Sequence, residues 1–303
     1  LPMSADRFVR LRRRALLALS ASALTAVALP ARAQDRPQRI VCLDYGLAST
    51  LLALDTVPLA VASRQDWDVW VVEPKLPESV LDLGSSWEIN FEALIALKPD
   101  LILTTAFNDA LLPRLKSIAP VFRAAIYTPE GGAILPKAYA TTQELGVAIG
   151  RQEAAAAFLH KADKELDGYR DRLSRHHQPP LALVNFLDPR HVRVYTNPGL
   201  YHEVLARIGL TNAWADKGNF WGFETIGIEE LAHAAKAPDA RLIAFEPVPD
   251  DVEPVLKESP LWQSLPFSRP GHFAVLPATL MFGMVNEALR FARIITDYLD
   301  QTA

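Results

Sequence analysis

From residue 40 onward, short apolar runs alternate with stretches in which apolar residues recur every three or four positions. Residues 40–43 read as a strand, 48–54 as a helix and 60–62 as the next strand. A helix over 91–97 is stopped by Lys98-Pro99-Asp100, and a strand over 101–104, a helix over 112–118 and a returning strand over 120–122 follow. The second half uses the same grammar, with strands over 181–186, 192–195 and 242–245 and helices over 201–208 and 228–235. This alternation predicts an α/β fold with mainly parallel sheets. Two segments resemble each other: "NFEALIALKPDLIL" (90–103) and "GIEELAHAAKAPDARLIAF" (227–245) both run helix, lysine, Pro-Asp stop, apolar strand. The chain therefore reads as two related α/β lobes.

Between the halves lies "RQEAAAAFLHKADKELDGYRDRLSRHH", rich in alanine and alternating charge and lacking proline, with Pro179-Pro180 as its stop. That composition makes a long helix. It serves either as a rigid spine joining the lobes or as a surface helix of the first; the spine is the favoured reading. The organisation is a signal peptide over 1–33, an N-terminal lobe over 34–150, a linking helix over 151–178 and a C-terminal lobe over 179–303, with the ligand cleft between the lobes.

Composition narrows the function. With 303 residues, half of them hydrophobic, the chain can bury two domain-sized cores, and a net charge of −4 gives no electrostatic case for nucleic acid. Arg7, Arg10 and Arg12 to Arg14 precede an apolar stretch over 15–29 and a small-x-small site at Ala31-Arg32-Ala33. This is the pattern of an export signal cleaved near Ala33, and the paired arginines point to the twin-arginine route. Cys42, the single cysteine, has no internal disulfide partner and sits in an apolar run, so it reads as a buried thiol. The expected location is the periplasm and the expected state a monomer.

Local chemistry motifs are missing. The chain has no G-x-G-x-x-G after a strand, no phosphate-binding glycine-lysine loop and no G-x-S-x-G elbow. Its seven histidines lack ligand spacing, and His202-Glu203 is followed by Ala206 where a zinc protease would need its second histidine. The reading is a non-enzyme with no catalytic residues, no cofactor and no metal bound by protein side chains.

What the sequence offers instead is aromatic surface on the loop side of the strands. Tyr45, Phe107 and Tyr195 follow strands; Trp70 and Trp87 lie in loops of the first half; Met281 and Phe282 follow the apolar run 273–276. "NFWGFET" (219–225) places Phe220, Trp221 and Phe223 in what reads as a loop. In open parallel sheets ligands sit beyond the carboxyl ends of strands, so these residues predict two walls of a cleft, although any one aromatic is more often core.

At this level of detail the chain resembles the FhuD-type periplasmic ferric-hydroxamate-siderophore-binding proteins, a helix-linked (class III) group of periplasmic binding proteins. The resemblance runs nearly the whole length and is carried most specifically by "WVVEPKLPESVLDLG" and "NAWADKGNFWG". It implies an iron(III)-siderophore, hydroxamate or mixed-type, gripped by Tyr45, Trp70, Trp221 and the surroundings of Tyr195 and Phe282, and delivery to an inner-membrane ABC permease. Iron would be held by the siderophore's own oxygens, which suit a hard cation. Where the family pattern has an arginine and a tyrosine on the hydroxamate oxygens, this chain has Ser86 and Asn108, with Trp87 and Phe107 adjacent. Glu92 and Glu229 match the acidic residues that dock on the permease; their positions at helix starts are equally explained by the helix dipole. The alternatives are a haem or corrinoid carrier, with Tyr45 as axial ligand, and an exported siderophore-modifying enzyme.

Overall fold

The computed structural model describes residues 36–302 except Ala215, and from Pro37 onward the chain forms one compact unit. The expected signal peptide and its cleavage site lie outside the described residues. The first half runs β1 (Ile40–Cys42), α1 (Tyr45–Ala53), β2 (Ala60–Val61), α2 (Trp67–Trp70), β3 (Leu81–Asp82), α3 (Phe91–Ala96), β4 (Leu101–Thr105), α4 (Leu112–Lys116) and β5 (Val121–Ala124). Its five strands form a parallel sheet in the order β3-β2-β1-β4-β5. Two helices, α5 (Ile134–Ala148) and α6 (Gln152–Leu173), then lead to the second half. There the order is β6 (Leu181–Phe186), β7 (His191–Tyr195), α7 (Leu200–Arg207), β8 (Phe223–Gly227), β9 (Arg241–Phe245), α8 (Val252–Glu258), α9 (Pro260–Ser264), β10 (Phe273–Leu276) and α10 (Val285–Gln301).

The second sheet has the order β10-β9-β6-β7-β8 and is mixed. β10, β9 and β6 are parallel, but β7 is antiparallel to both β6 and β8, so the second sheet is mixed while the pairing over the two sheets stays mainly parallel, as expected. The cause is local. Only residues 187–190 separate β6 from β7, and Asp188 accepts the amides of Arg190 and His191 at 2.7 and 2.9 Å. So short a link can close a hairpin but cannot make the crossover a parallel neighbour needs.

Side-chain alternation divides the core into layers. On β1, Ile40 and Cys42 join a central cluster while Val41 and Leu43 face the outer side of the first lobe. On β6, Leu181 and Leu183 join the same central cluster and Ala182 and Val184 face the outer side of the second. Helix α6 buries Ala155, Leu159, Ala162, Leu166 and Leu173, a stripe at helical spacing. It packs beside α10, where Arg172 meets Asp297 at 3.1 Å and Asp300 at 2.5 Å. The two α/β lobes are thus joined by long helices and by one continuous apolar core.

The repeated segments fall on equivalent parts of the two sheets: β4 lies beside β1, and β9 beside β6. Asp100 accepts the Gln38 and Arg39 amides ahead of β1, and Asp239 contacts His177 ahead of β6 at 2.8 Å. The equivalence is imperfect, because Ile228–Lys236 is a 3₁₀ helix broken at Ala235 where α3 is an α-helix.

Candidate functional site

Aromatic side chains from both lobes meet in one seam. Phe107 stands in the 3₁₀ turn Ala106–Leu111 that follows β4. Its ring stacks on Trp221 with centroids 4.7 Å apart and planes 8° from parallel. Phe282, on the segment between β10 and α10, lies edge-on to Phe107 (5.4 Å), Tyr127 (5.3 Å), Trp221 (5.9 Å) and Phe223 (6.3 Å). Such edge-to-face and offset pairs set positive ring edges against negative faces. Phe107 is 43% exposed, and Trp221, Phe223 and Phe282 are partly buried, so the seam opens to solvent.

Local chemistry explains why Trp221 points there. Asn219 accepts the Trp221 amide through its side chain at 2.9 Å and the Gly222 amide through its carbonyl at 3.0 Å, closing a tight turn. Gly222 has φ +80°, and a Cβ on it would stand 2.5 Å from the Pro198 carbonyl oxygen, so only glycine fits. Phe223, expected in a loop, instead opens β8 opposite Tyr195. The strand signal was masked because the run "NFWGFET" carries a glycine and a polar start.

Beneath the seam, the Tyr127 hydroxyl lies 2.9 Å from the Met281 carbonyl and 3.0 Å from that of Gly283, tying the segment after β5 to the one carrying Phe282. That segment enters α10 through Met284, whose amide donates to Glu287 at 2.7 Å. Glu287 is 1% exposed, with the Ser49 hydroxyl close to its carboxyl. Burial pushes its carboxyl up to about 7, partly offset by the Ser49 hydroxyl and then the Met284 amide, with Asp44 adding to the rise. Asp44 caps α1 by accepting the Leu47 amide at 3.0 Å and is itself pushed up by burial to about 6.

Arg193 completes the seam. Its guanidinium lies 4.4 Å over the Phe223 ring, and Nη1 is 3.6 Å from the Met281 sulfur. Nε is buried without a hydrogen-bond partner. Nearby, Arg123 pairs with Asp109 at 2.5 Å and holds that carboxyl below its ordinary range.

The other expected residues are placed differently. Tyr45, Trp70 and Trp87 make none of the ring contacts just described, although Tyr45 packs against the same central cluster. Tyr45 is in the first turn of α1, donates to the Ser63 carbonyl at 2.6 Å and stands edge-on to the buried Trp67 at 5.8 Å. Burial, with Asp66 and Asp82 nearby, raises its phenol to about 12. The Ser86 amide donates to the Ser63 hydroxyl at 2.8 Å, so Ser63 organises both. Trp70 is 41% and Trp87 94% exposed. Asn108 spends a side-chain donor on Thr104 at 3.1 Å. Tyr195, by contrast, is 3% exposed, contacts Asn185 and packs edge-on to Tyr201 at 4.7 Å. It supports the seam from below and presents almost no surface, because its strand position faces the central core. Met281 is likewise buried.

Tyr127 and Arg193 were missed by sequence reasoning, whereas Phe220 lies against Trp221 with ring centroids 4.2 Å apart. Arg193 had a signal: it is a charge at an inward position of a strand whose neighbours alternate. A concave groove of about 580 Å³ is lined by Gly132, Pro136, Pro198, His202, Glu203 and Lys217 among others and by none of the seam's rings. Glu203 there accepts the Ile134 and Leu135 amides at the start of α5. Among the described residues, no group of three or more His, Cys, Asp or Glu could hold a metal ion. Cys42 is buried, with its thiol pushed well up by that burial, and is chemically quiet.

Comparison with known proteins adds the lineage. Residues 40–280 match the model of the family described as "Periplasmic binding protein". The chain is 33% identical over 259 residues to the iron(3+)-hydroxamate-binding protein FhuD of Escherichia coli (strain K12), covering 86% of each. It is 30% identical over 220 residues to the achromobactin-binding periplasmic protein of Dickeya dadantii (strain 3937), covering 67% of this chain and 66% of that one. Among solved structures it is similar to the siderophore-binding protein FhuD from Vibrio cholerae bound to Fe3+-Desferal, with TM-score 0.80 and 26% identity, covering 86% of this chain and 97% of the other. This chain belongs to the periplasmic binding protein family.

Proposed function

We propose that this protein is the periplasmic substrate-binding component of an ABC importer, receiving an iron(III)-siderophore complex at the aromatic seam and delivering it to the inner-membrane permease. The observation that carries this reading is the meeting of Phe107 from one lobe with Trp221 and Phe282 from the other. Rings from two lobes can grip the organic shell of a large chelate by contact area. The siderophore's oxygens satisfy the iron, so the ion is cargo and needs no protein ligand. Tyr45, Trp70, Ser86, Trp87 and Asn108 extend the surface on the first lobe. Nothing about Tyr45 favours a haem reading, since its hydroxyl is committed to the Ser63 carbonyl.

The role is binding and handover, not catalysis. The protein acts as a monomer after export, with lobes over 34–150 and 179–303 and the helix 151–178 between them. Glu92 and Glu229, both exposed at the starts of their helices, present one acid per lobe to the permease. The continuous core shared by the lobes keeps their relative motion small, because opening them would expose apolar surface to water.

Titration of tryptophan fluorescence with ferric desferrioxamine and with ferric dicitrate tests the reading. Saturable quenching that returns the chelate chemically unchanged is the expected result. Absence of binding to any ferric chelate in a panel of hydroxamates, carboxylates and catecholates refutes it.

A further inference from the structure

We infer that Arg193 holds an anionic group of the cargo, so that the preferred ligand is an acidic, carboxylate-bearing ferric chelate and not a purely hydroxamate one. This rests on the aromatic seam being the ferric-siderophore site.

The argument begins with the strand. Val192 and Val194 turn to the outer core of the second lobe, which leaves Arg193 and Tyr195 on the inner face. Arg193 is half-buried, and its cross-strand neighbours are the neutral Asn185 on β6 and Thr225 on β8. No carboxylate of the described residues lies within ion-pair distance of it. Arg123, Arg207 and Arg290, by contrast, meet Asp109, Asp167 and Glu73 at 2.5, 2.9 and 3.0 Å. Arg64 also has a buried Nε without a partner, but it is next to acids: its amide donates to Asp82, and Asp66 is two residues on.

A guanidinium withdrawn from water with no counter-charge is costly unless something else supplies it. Phe223, Met281 and the neutral Tyr195 hydroxyl hold it in place, and none of them supplies the negative charge of an anionic oxygen. The planar fork is therefore fixed in direction over the Phe223 ring, with its Nε unpartnered and no anionic acceptor beside it. A carboxylate is the group that matches its geometry with two parallel hydrogen bonds. Ser86 and Asn108 carry no charge, and the Asn108 amide already donates to Thr104, so Arg193 is the cationic group in contact with the seam's rings.

The test compares two ferric chelates that share hydroxamates and differ in the carboxylate: a citrate-centred dihydroxamate and desferrioxamine. Each is titrated against the wild type, Arg193→Gln and Arg193→Lys, at low and high salt, with near-ultraviolet circular dichroism reporting the fold. Wild type binds the citrate-centred chelate more tightly, and that affinity falls with salt. In Arg193→Gln the ratio of the two affinities shifts against the acidic chelate by at least about tenfold, as expected for a lost charge-assisted pair, and the salt dependence flattens. Arg193→Lys restores part of the ratio. Equal losses for both chelates in Arg193→Gln, or a wild type that prefers desferrioxamine, overturn the inference while leaving the binding role standing. Should Arg193→Gln fail to fold, a salt-independent wild-type affinity for the acidic chelate is enough to overturn it. A wild type that binds neither chelate removes the functional reading, and the inference with it.

Discussion

Phe107 and Trp221 lie flat against each other across the two lobes, their centroids 4.7 Å apart and their planes within 8° of parallel. Rings this close are in contact, and a chelate that uses both faces must part them. Binding therefore replaces one aromatic contact by another, and Trp221 reports it. Trp221→Ala lowers affinity by roughly 10- to 100-fold, the scale of a buried aromatic anchor, and abolishes most of the fluorescence change. In the ligand-free protein, a double-mutant cycle with Phe107→Ala gives a coupling of about 0.5–1.5 kcal/mol between the rings. Measured coupling near zero, with quenching retained in Trp221→Ala, contradicts the seam as the site.

Tyr127 is the bond between the lobes that has the clearest consequence. Its hydroxyl serves the carbonyls of Met281 and Gly283 while its ring supports Phe282. Tyr127→Phe keeps the ring and leaves buried acceptors short of a donor, so stability falls by about 1–3 kcal/mol. Chemical denaturation measures the fall, and affinity drops with it as Phe282 loses its fixed position. A variant as stable as wild type would show that water or another group satisfies those carbonyls.

The buried acids make stability depend on pH with a sign opposite to that of a salt-bridged carboxylate. Glu287 has its folded pKa raised from 4.5 to about 7, and Asp44 from 3.8 to about 6. Between the ordinary and the raised values the folded state binds the proton and the unfolded state does not. Stability from these groups is therefore fullest below about 4 and falls as pH rises to about 7. Glu287 alone accounts for up to about 3 kcal/mol of this fall. Glu287→Gln keeps an acceptor for the Met284 amide and removes the charge. Its melting temperature should exceed that of wild type at pH 8, and the difference should shrink toward pH 5. A constant difference across that range would mean that Glu287 does not titrate there.

Charge reversal at Glu92 and Glu229 separates docking from binding. Both carboxylates are exposed. The double lysine variant should bind ferric chelate as wild type does and fail to support uptake in cells. If the acids serve only their helix starts, each reversal costs about 0.3–1 kcal/mol of stability and uptake persists.

Much of this architecture can be read from the chain. Strands of three to six residues with apolar alternation, and helices with apolar residues every three or four, are local patterns that the structure reproduces within a residue or two, as at β6 and α7. The alanines, alternating charges and absence of proline over 151–178 made α6 legible before any packing was known. Patterns at the limit of local information failed. β3 is two residues long and exposed, and β8 contains no alternation strong enough to outweigh the turn before it. Aromatics were recognised as a set, but not sorted: Phe107, Trp221, Phe223 and Phe282 converge, whereas Tyr195 is buried in the core and Trp87 stands alone in solvent. Residue type does not say which of these an aromatic will be, because all three bury or present the same apolar ring.

The sequence by itself determined the alternation of elements, the two-lobe plan and the type of side chain at each strand end, since propensity, periodicity and turn chemistry act over a few residues. Only the tertiary structure decided that the second sheet is mixed, that Phe107 lies on Trp221, and that Arg193 points inward beside Phe223 without an acidic partner. Those outcomes depend on which strands pair and which faces pack, and the free energy that selects them comes from burying surfaces that are distant along the chain.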